Sequence, residues 1–143
     1  MQNSSKVFAD ESREYWPMAR AEHMDMAFVR MQRVNLLLMG TDRLTQDVVK
    51  RLMPNLREPI QTWSPPDRLY LPAPQQLRTL ILRDVGALRP VDQRCLLAWL
   101  ELSAGHTQVI STTTTSLLTS VESNGFLDTL YYRLNVVCVD LTE

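Results

Sequence analysis

Short apolar runs alternate along this chain with longer stretches whose apolar residues recur every three or four positions. Val34-Asn35-Leu36-Leu37-Leu38-Met39 is apolar almost without interruption and stops at Gly40. A run of that length closed by glycine predicts a strand over 34–39, buried on both faces. The period then changes. Over 45–53, Val48, Val49 and Leu52 fall on one side of a helix and Gln46, Lys50 and Arg51 on the other, with Pro54 as the stop. Ile60-Gln61-Thr62-Trp63 predicts a second strand, and Thr79-Leu80-Ile81-Leu82 a third over 79–83 before Asp84-Val85-Gly86 turns the chain. A helix follows over 91–102, placing Cys95, Leu96, Trp99 and Leu100 inward and ending before Gly105. β-Branched residues predict a fourth strand over 107–113. The stretch 117–134 reads as helix broken near Asn124-Gly125, and 136–141 as a fifth strand.

Strands alternating with helices require right-handed crossovers and a mainly parallel sheet covered on both faces. The expected class is α/β, a three-layer sandwich around a mostly parallel five-stranded sheet. Ahead of it, Met18, Ala21, Met24, Ala27, Phe28 and Met31 recur at helical spacing, so 8–33 reads as a helix with Pro17 near its start. Its methionine face either packs on the core or receives a partner helix. Residues 1–33 are thus an N-terminal helical segment and 34–143 the α/β core, within a single domain overall. Between 54 and 74 lie six of the chain's eight prolines, which predicts extended loop.

Composition narrows the function classes. A net charge of −1 over 143 residues gives no basic footprint for nucleic acid or for an anionic membrane. No apolar run approaches the roughly 20 residues that span a bilayer. The first residues, MQNSSKVFADESREYW, show no secretory pattern, so a cytoplasmic location is expected. Cys95 and Cys138 both lie inside apolar patterns and read as buried free thiols. His23 and His106, the only histidines, stand in no cluster with ligand spacing, so neither a metal site nor a cofactor is expected. The run of serines and threonines over 111–116 lacks a nucleophile elbow and reads as a polar strand end. Trp63 and Tyr70, beside the proline-rich loop, read equally as core or as interface anchors, and Trp99 as core.

Several collinear blocks carry a family resemblance. Phe126-Leu127-Asp128-Thr129-Leu130-Tyr131-Tyr132-Arg133-Leu134-Asn135-Val136-Val137 resembles the FREDLYYRLNVV stretch of sigma-54-dependent transcriptional activators, a branch of the AAA+ ATPases. Residues 79–88 (TLILRDVGAL) resemble that family's TLFLDEIGEL, and Gln93, Leu96, Leu97 and Leu100 fall where its next helix has LQxxLLxxL. Val109-Ile110-Ser111-Thr112-Thr113-Thr114 corresponds to its VIAATN strand, and residues 40–49 (GTDRLTQDVV) to GESGTGKEVV. The resemblance covers about residues 34–141. It implies a P-loop-NTPase-like sheet with the first strand between the fourth and the fifth.

The departures fall on the residues that handle nucleotide. A P-loop uses glycines so that successive N–H groups wrap the phosphates, and a lysine that reaches the β/γ-phosphates. After Gly40, Arg43 and Thr45 replace the inner glycines, Gln46 stands at the lysine position, and Asp47 adds negative charge. Arg83 and Asp84 occupy the Walker B acidic pair, where a guanidinium cannot ligate Mg²⁺. Arg83 is expected either to pair with a carboxylate of Asp42, Asp47 or Asp84 or to point to solvent. Thr114 replaces the sensor asparagine. Of the two arginines in FRxDLYYR, Leu127 replaces the first and Arg133 remains, as an arginine-finger remnant or a surface arginine packed on Tyr132.

The resemblance further implies that 64–74 replaces the family's GAFTGA insertion and that the chain ends at Glu143 before the helical lid. No DNA-binding helix-turn-helix follows. The resulting expectation is a pseudo-ATPase without catalytic residues: a protein-interaction or regulatory module of transcription. Its partner would be an intact AAA+ activator or a second copy of itself, with no direct nucleic-acid contact and no membrane. The alternative is a nucleotide or anion sensor that uses Arg43, Arg83 and Arg133 without hydrolysis, and a feeble ATPase comes third.

Overall fold

A computed structural model describes residues 34–142. The helix expected over 8–33, with its methionine face and His23, lies outside the described residues. Five strands form one parallel sheet: β1 (Leu36–Met39), β2 (Ile60–Trp63), β3 (Thr79–Leu82), β4 (Gln108–Thr113) and β5 (Val137–Asp140). Their order is β2-β3-β4-β1-β5, so β1 lies between β4 and β5 as the resemblance implies. Each strand falls within its expected range, trimmed by at most two residues at an end. At β1 the trimming has a cause. Asn35 spends its amide on neighbours, accepting from Val109 N at 2.8 Å and donating to Arg133 O at 2.8 Å.

Four α-helices connect the strands: α1 (Asp42–Leu52), α2 (Pro90–Leu102), α3 (Leu117–Glu122) and α4 (Asp128–Leu134). Alternate strand residues point to opposite faces, and both faces are apolar here. On one, Leu36, Leu38, Ile81, Ile110 and Val139 meet Val48, Val49 and Leu52 of α1. On the other, Leu37, Leu80, Leu82, Val109 and Cys138 meet Leu96, Trp99 and Leu100 of α2, with Leu117, Leu130 and Leu134 of α3 and α4. Burial on both faces is why the strand sequences are unbroken apolar runs.

Two expectations need correction. The first connecting helix starts at Asp42, three residues before the predicted 45. Cys95 is exposed, although Cys138 is buried. The buried stripe of α2 is Gln93, Leu96, Trp99 and Leu100, and Cys95 sits one position out of phase with it.

The proline-rich connection from β2 to β3 contains no strand or α-helix and crosses the second core as a strap. Trp63 donates its indole N–H to Asp67 O at 2.7 Å, and Trp99 donates to Pro72 O at 2.7 Å. The Gln61 amide donates to Tyr70 O. Leu69 and Leu71 pack inward and Leu77 is buried in the core. Trp63 is therefore a core residue, while Tyr70 projects outward.

Candidate functional site

In a parallel sheet the switch point, where successive connections leave in opposite directions, opens a crevice beyond the carboxyl ends of the strands. Here the crevice lies between β1 and β4, because β1 leads toward the β2 edge while β4 leads past β1 to β5. Gly40, Arg83, Asp84 and Thr114 all follow strands at this carboxyl edge. Hydrogen bonds tie their neighbourhoods together: Gly40 N donates to Thr113 O at 3.0 Å, and Asp84 N donates to Thr112 Oγ1 at 3.0 Å. Thr114 itself is exposed, next to a tight turn in which Thr113 Oγ1 donates to Thr115 O at 2.8 Å. Asp84 takes a left-handed conformation (φ 51°), which swings the chain from β3 into a short 3-10 turn, Val85–Ala87.

The residues aligned with the phosphate-binding loop are wound into α1. Only Gly40 and Thr41 separate β1 from the helix, and 42–46 form its first turns. Thr41 is the N-cap, its Oγ1 accepting from Leu44 N at 3.2 Å. Thr45 N donates to Thr41 O at 2.9 Å, and the buried Thr45 hydroxyl donates to the same carbonyl at 3.0 Å. Backbone N–H groups of Leu44 and Thr45 are thus spent inside the helix. Arg43, Gln46 and Asp47 lie on its exposed side. Gly40 is where β1 passes close to β5: a Cβ there would stand 3.0 Å from that of Leu141.

Arg83 forms no ion pair with any of the described residues. Among the described residues the salt bridges are Arg89–Asp92 at 3.2 Å and Arg133–Glu101 at 3.5 Å. The expected pairing of Arg83 with Asp42, Asp47 or Asp84 is therefore absent, because Asp42 and Asp47 ride on the exposed side of α1 and Asp84 is turned away by its backbone. Arg83 Nε is buried without a partner, while the residue as a whole stays partly exposed. Arg133 is not part of this cluster. It sits in the last turn of α4 at the opposite, amino edge of the sheet, lining a groove with Val34, Thr107 and Val136. On the same helix, burial raises the Tyr131 phenol above its ordinary pKa, opposed by the hydrogen bond from Asn135.

Sequence reasoning missed two groups. Asp140 is a buried carboxylate at the carboxyl end of β5 that accepts from Thr142 N at 2.9 Å and from the Thr142 hydroxyl. A charged residue closing the apolar run Val136-Val137-Cys138-Val139 is the signal that marked it. Gln93 is the other, placed in a family block by its sequence but without its bonding role: buried in α2, it donates to Leu88 O (2.9 Å) and Gly125 O (3.1 Å) and accepts from Leu127 N (2.9 Å). Among the described residues no group of three or more His, Cys, Asp or Glu is placed to hold a metal ion. No helix among them is long and apolar enough to cross a membrane.

A sequence model described as the sigma-54 interaction domain matches residues 21–143. The chain belongs to that family. No curated protein sequence matches it. Solved structures agree on the fold at low identity. NtrX from Brucella abortus in complex with ADP superposes with a TM-score of 0.65 at 15% identity, over 94% of this chain and 36% of that one. Its complex with ATP gives 0.67 at 14% identity, over 87% and 36%. The P-loop NTPase domain of a sigma-54 transport activator from E. coli gives 0.52 at 17% identity, over 85% and 96%. The chain thus spans about a third of the length of the NtrX structures it matches. It has the AAA+ sigma-54 interaction core, with the family's five-stranded parallel sheet.

Proposed function

We propose that this domain is a catalytically inactive member of the family, a pseudo-ATPase that works through protein contacts in transcription regulation in the cytoplasm. One observation carries the reading: the segment aligned with the phosphate loop, 42–46, is helix from Asp42 onward. A phosphate cradle needs a run of free N–H groups on a glycine-rich loop. Here Thr41 caps the helix, Thr45 bonds back to it, and no lysine follows. Arg83 in place of the Walker B aspartate adds a positive charge where Mg²⁺ would have to sit, and a guanidinium repels a cation. Residues 34–143 are then a degenerate AAA+-like core behind a helical segment, 1–33, whose partner is an intact AAA+ activator or a second copy. The test is thermal-shift titration with Mg-ATP and ADP together with an ATP-turnover assay. The expected outcome is no shift and no turnover above a no-enzyme control. Turnover that disappears on Asp84→Ala would overturn the proposal.

A second reading, an anion sensor without hydrolysis, is favoured by the buried and unpartnered Nε of Arg83. Arg43 and Arg83 both lie toward the carboxyl edge, whereas Arg133 lies at the amino edge and takes no part. Stabilisation by phosphate or sulfate, lost on Arg83→Gln and absent with chloride at equal ionic strength, would support this reading over the first.

A further inference from the structure

A pocket of about 370 Å³ opens between the first turns of α2 and the turn that joins α3 to α4. It contains none of the residues aligned with the nucleotide site. Its volume lies within the range of small-molecule sites, about 300–1,000 Å³. The wall is apolar: Val121 of α3 and Leu127 ahead of α4 are partly buried, and Phe126 between them in sequence is buried. Gln93 fixes this shape. Rooted in α2, its amide donates to Gly125 O and accepts from Leu127 N, so the helix and the turn are bonded to each other before any ligand arrives. A pocket organised in advance binds without the cost of ordering its walls.

Three polar groups at this pocket are unspent. Arg94, Asn124 and Asp128 all line it and all are exposed, and none of the three side chains has a hydrogen bond or ion pair among the described residues. The nearby Arg89 and Asp92 are paired with each other at 3.2 Å. The turn holds Asn124 in a left-handed conformation (φ 65°), with Asn124 N donating to Val121 O and Gly125 N to Ser120 O. Arg94 and Asp128 carry opposite charges on one pocket and yet do not pair. A ligand of single charge would gain from one of them and be repelled by the other. A small molecule with both charges close together and an apolar side chain satisfies the whole site. Its carboxylate meets the Arg94 guanidinium, its ammonium meets the Asp128 carboxylate, and its side chain lies against Val121 and Leu127. The Asn124 amide can donate to the first or accept from the second.

We propose that the pocket between α2 and the α3–α4 turn binds a free α-amino acid with an aliphatic side chain, held by Arg94 at its carboxylate and by Asp128 at its ammonium group. This goes beyond the protein-interaction reading and does not depend on it. The probe is L-leucine, titrated at millimolar concentrations into the full 143-residue chain and followed through amide chemical shifts by NMR. Saturable shifts are expected at Arg94 and over 121–128. Isocaproate, which lacks the ammonium group, and isoamylamine, which lacks the carboxylate, should each bind about tenfold more weakly, the loss of one charge-assisted hydrogen bond. Arg94→Gln should weaken leucine and isocaproate by about the same factor and leave isoamylamine unchanged, and Asp128→Asn should weaken leucine and isoamylamine and leave isocaproate unchanged. A merely structural effect of either substitution would not produce that crossed pattern. Both side chains project from the fold, and melting temperatures report that each variant is folded. The absence of a saturable shift with leucine overturns the proposal, as do shifts confined to residues away from Arg94 and 121–128. Isocaproate binding as tightly as leucine, together with an indifferent Asp128→Asn variant, overturns it as well and reduces the site to an anion contact at Arg94.

Discussion

Gln93 shows how much one side chain holds together in this fold. Its amide joins the start of α2 to Leu88 and to the Gly125–Leu127 turn between α3 and α4, and its bond to Leu88 O is buried while the other two are partly buried. Truncating it leaves two carbonyls and one N–H without their partner, the Leu88 carbonyl in a buried place. Gln93→Ala is therefore expected to destabilise the domain by about 3 kcal/mol in urea unfolding. Gln93→Glu should do similar damage at neutral pH, since a carboxylate accepts but cannot donate to Leu88 O and Gly125 O. Arg83 teaches the opposite lesson. Pairing, from the cost of burying a charge, was one of its two expected fates beside pointing to solvent; the residue stays partly exposed and no carboxylate of the described residues comes within ion-pair range. With no partner to strand, Arg83→Ala loses the main ground for a large destabilisation.

At the scale of the element, α1 is a helix because the sequence no longer prevents one. Glycine disfavours helix by about 1 kcal/mol per residue, and a phosphate loop keeps its glycines partly for the conformations they permit. Arg43 and Thr45 remove that obstacle, Thr41 supplies the cap, and Asp42 sits where the helix dipole favours an anion. Thr41→Ala should lower stability by about 1 kcal/mol. Arg43→Gly combined with Thr45→Gly should lower it by about 2 kcal/mol, measured by denaturant melts with helicity followed by circular dichroism. Adding Gln46→Lys to those glycines should still give no ATP-induced thermal shift, because Arg83 continues to oppose Mg²⁺. A shift in the triple variant would show that the loop alone governs binding.

For the whole molecule, the sheet's two faces are closed by different means. α1 covers one, while α2 to α4 cover only part of the other and the strap completes it near β2 and β3. The strap is held by side-chain donors, the two indoles and the Gln61 amide among them, rather than by regular backbone pairing. Trp99→Phe keeps most of the apolar area but deletes the bond to Pro72 O. Limited trypsin digestion is expected to cut that variant after the exposed Arg68 several-fold faster than the parent chain, with little change in the rate at other sites. Equal rates at Arg68 would mean that packing of Leu69 and Leu71 suffices to hold the strap.

The strands, the alternation that orders them and the family blocks were legible in the sequence, because a strand buried on both faces has to be apolar along its length whatever surrounds it. The same holds for the substitutions at Arg43, Gln46 and Arg83, which are matters of residue type. Other features depend on what lies nearby in space. That 42–46 are helical follows from a cap and back-bonds that a motif alignment does not contain. Cys95 faces out because the stripe of α2 is set by which residues meet Leu82 and Val109, and a shift of one position turns a helical side chain by about 100°. Likewise Gln93, the two tryptophan anchors and the distance of Arg133 from the crevice are contacts between segments far apart in the chain, and only the folded sheet brings those segments to their places.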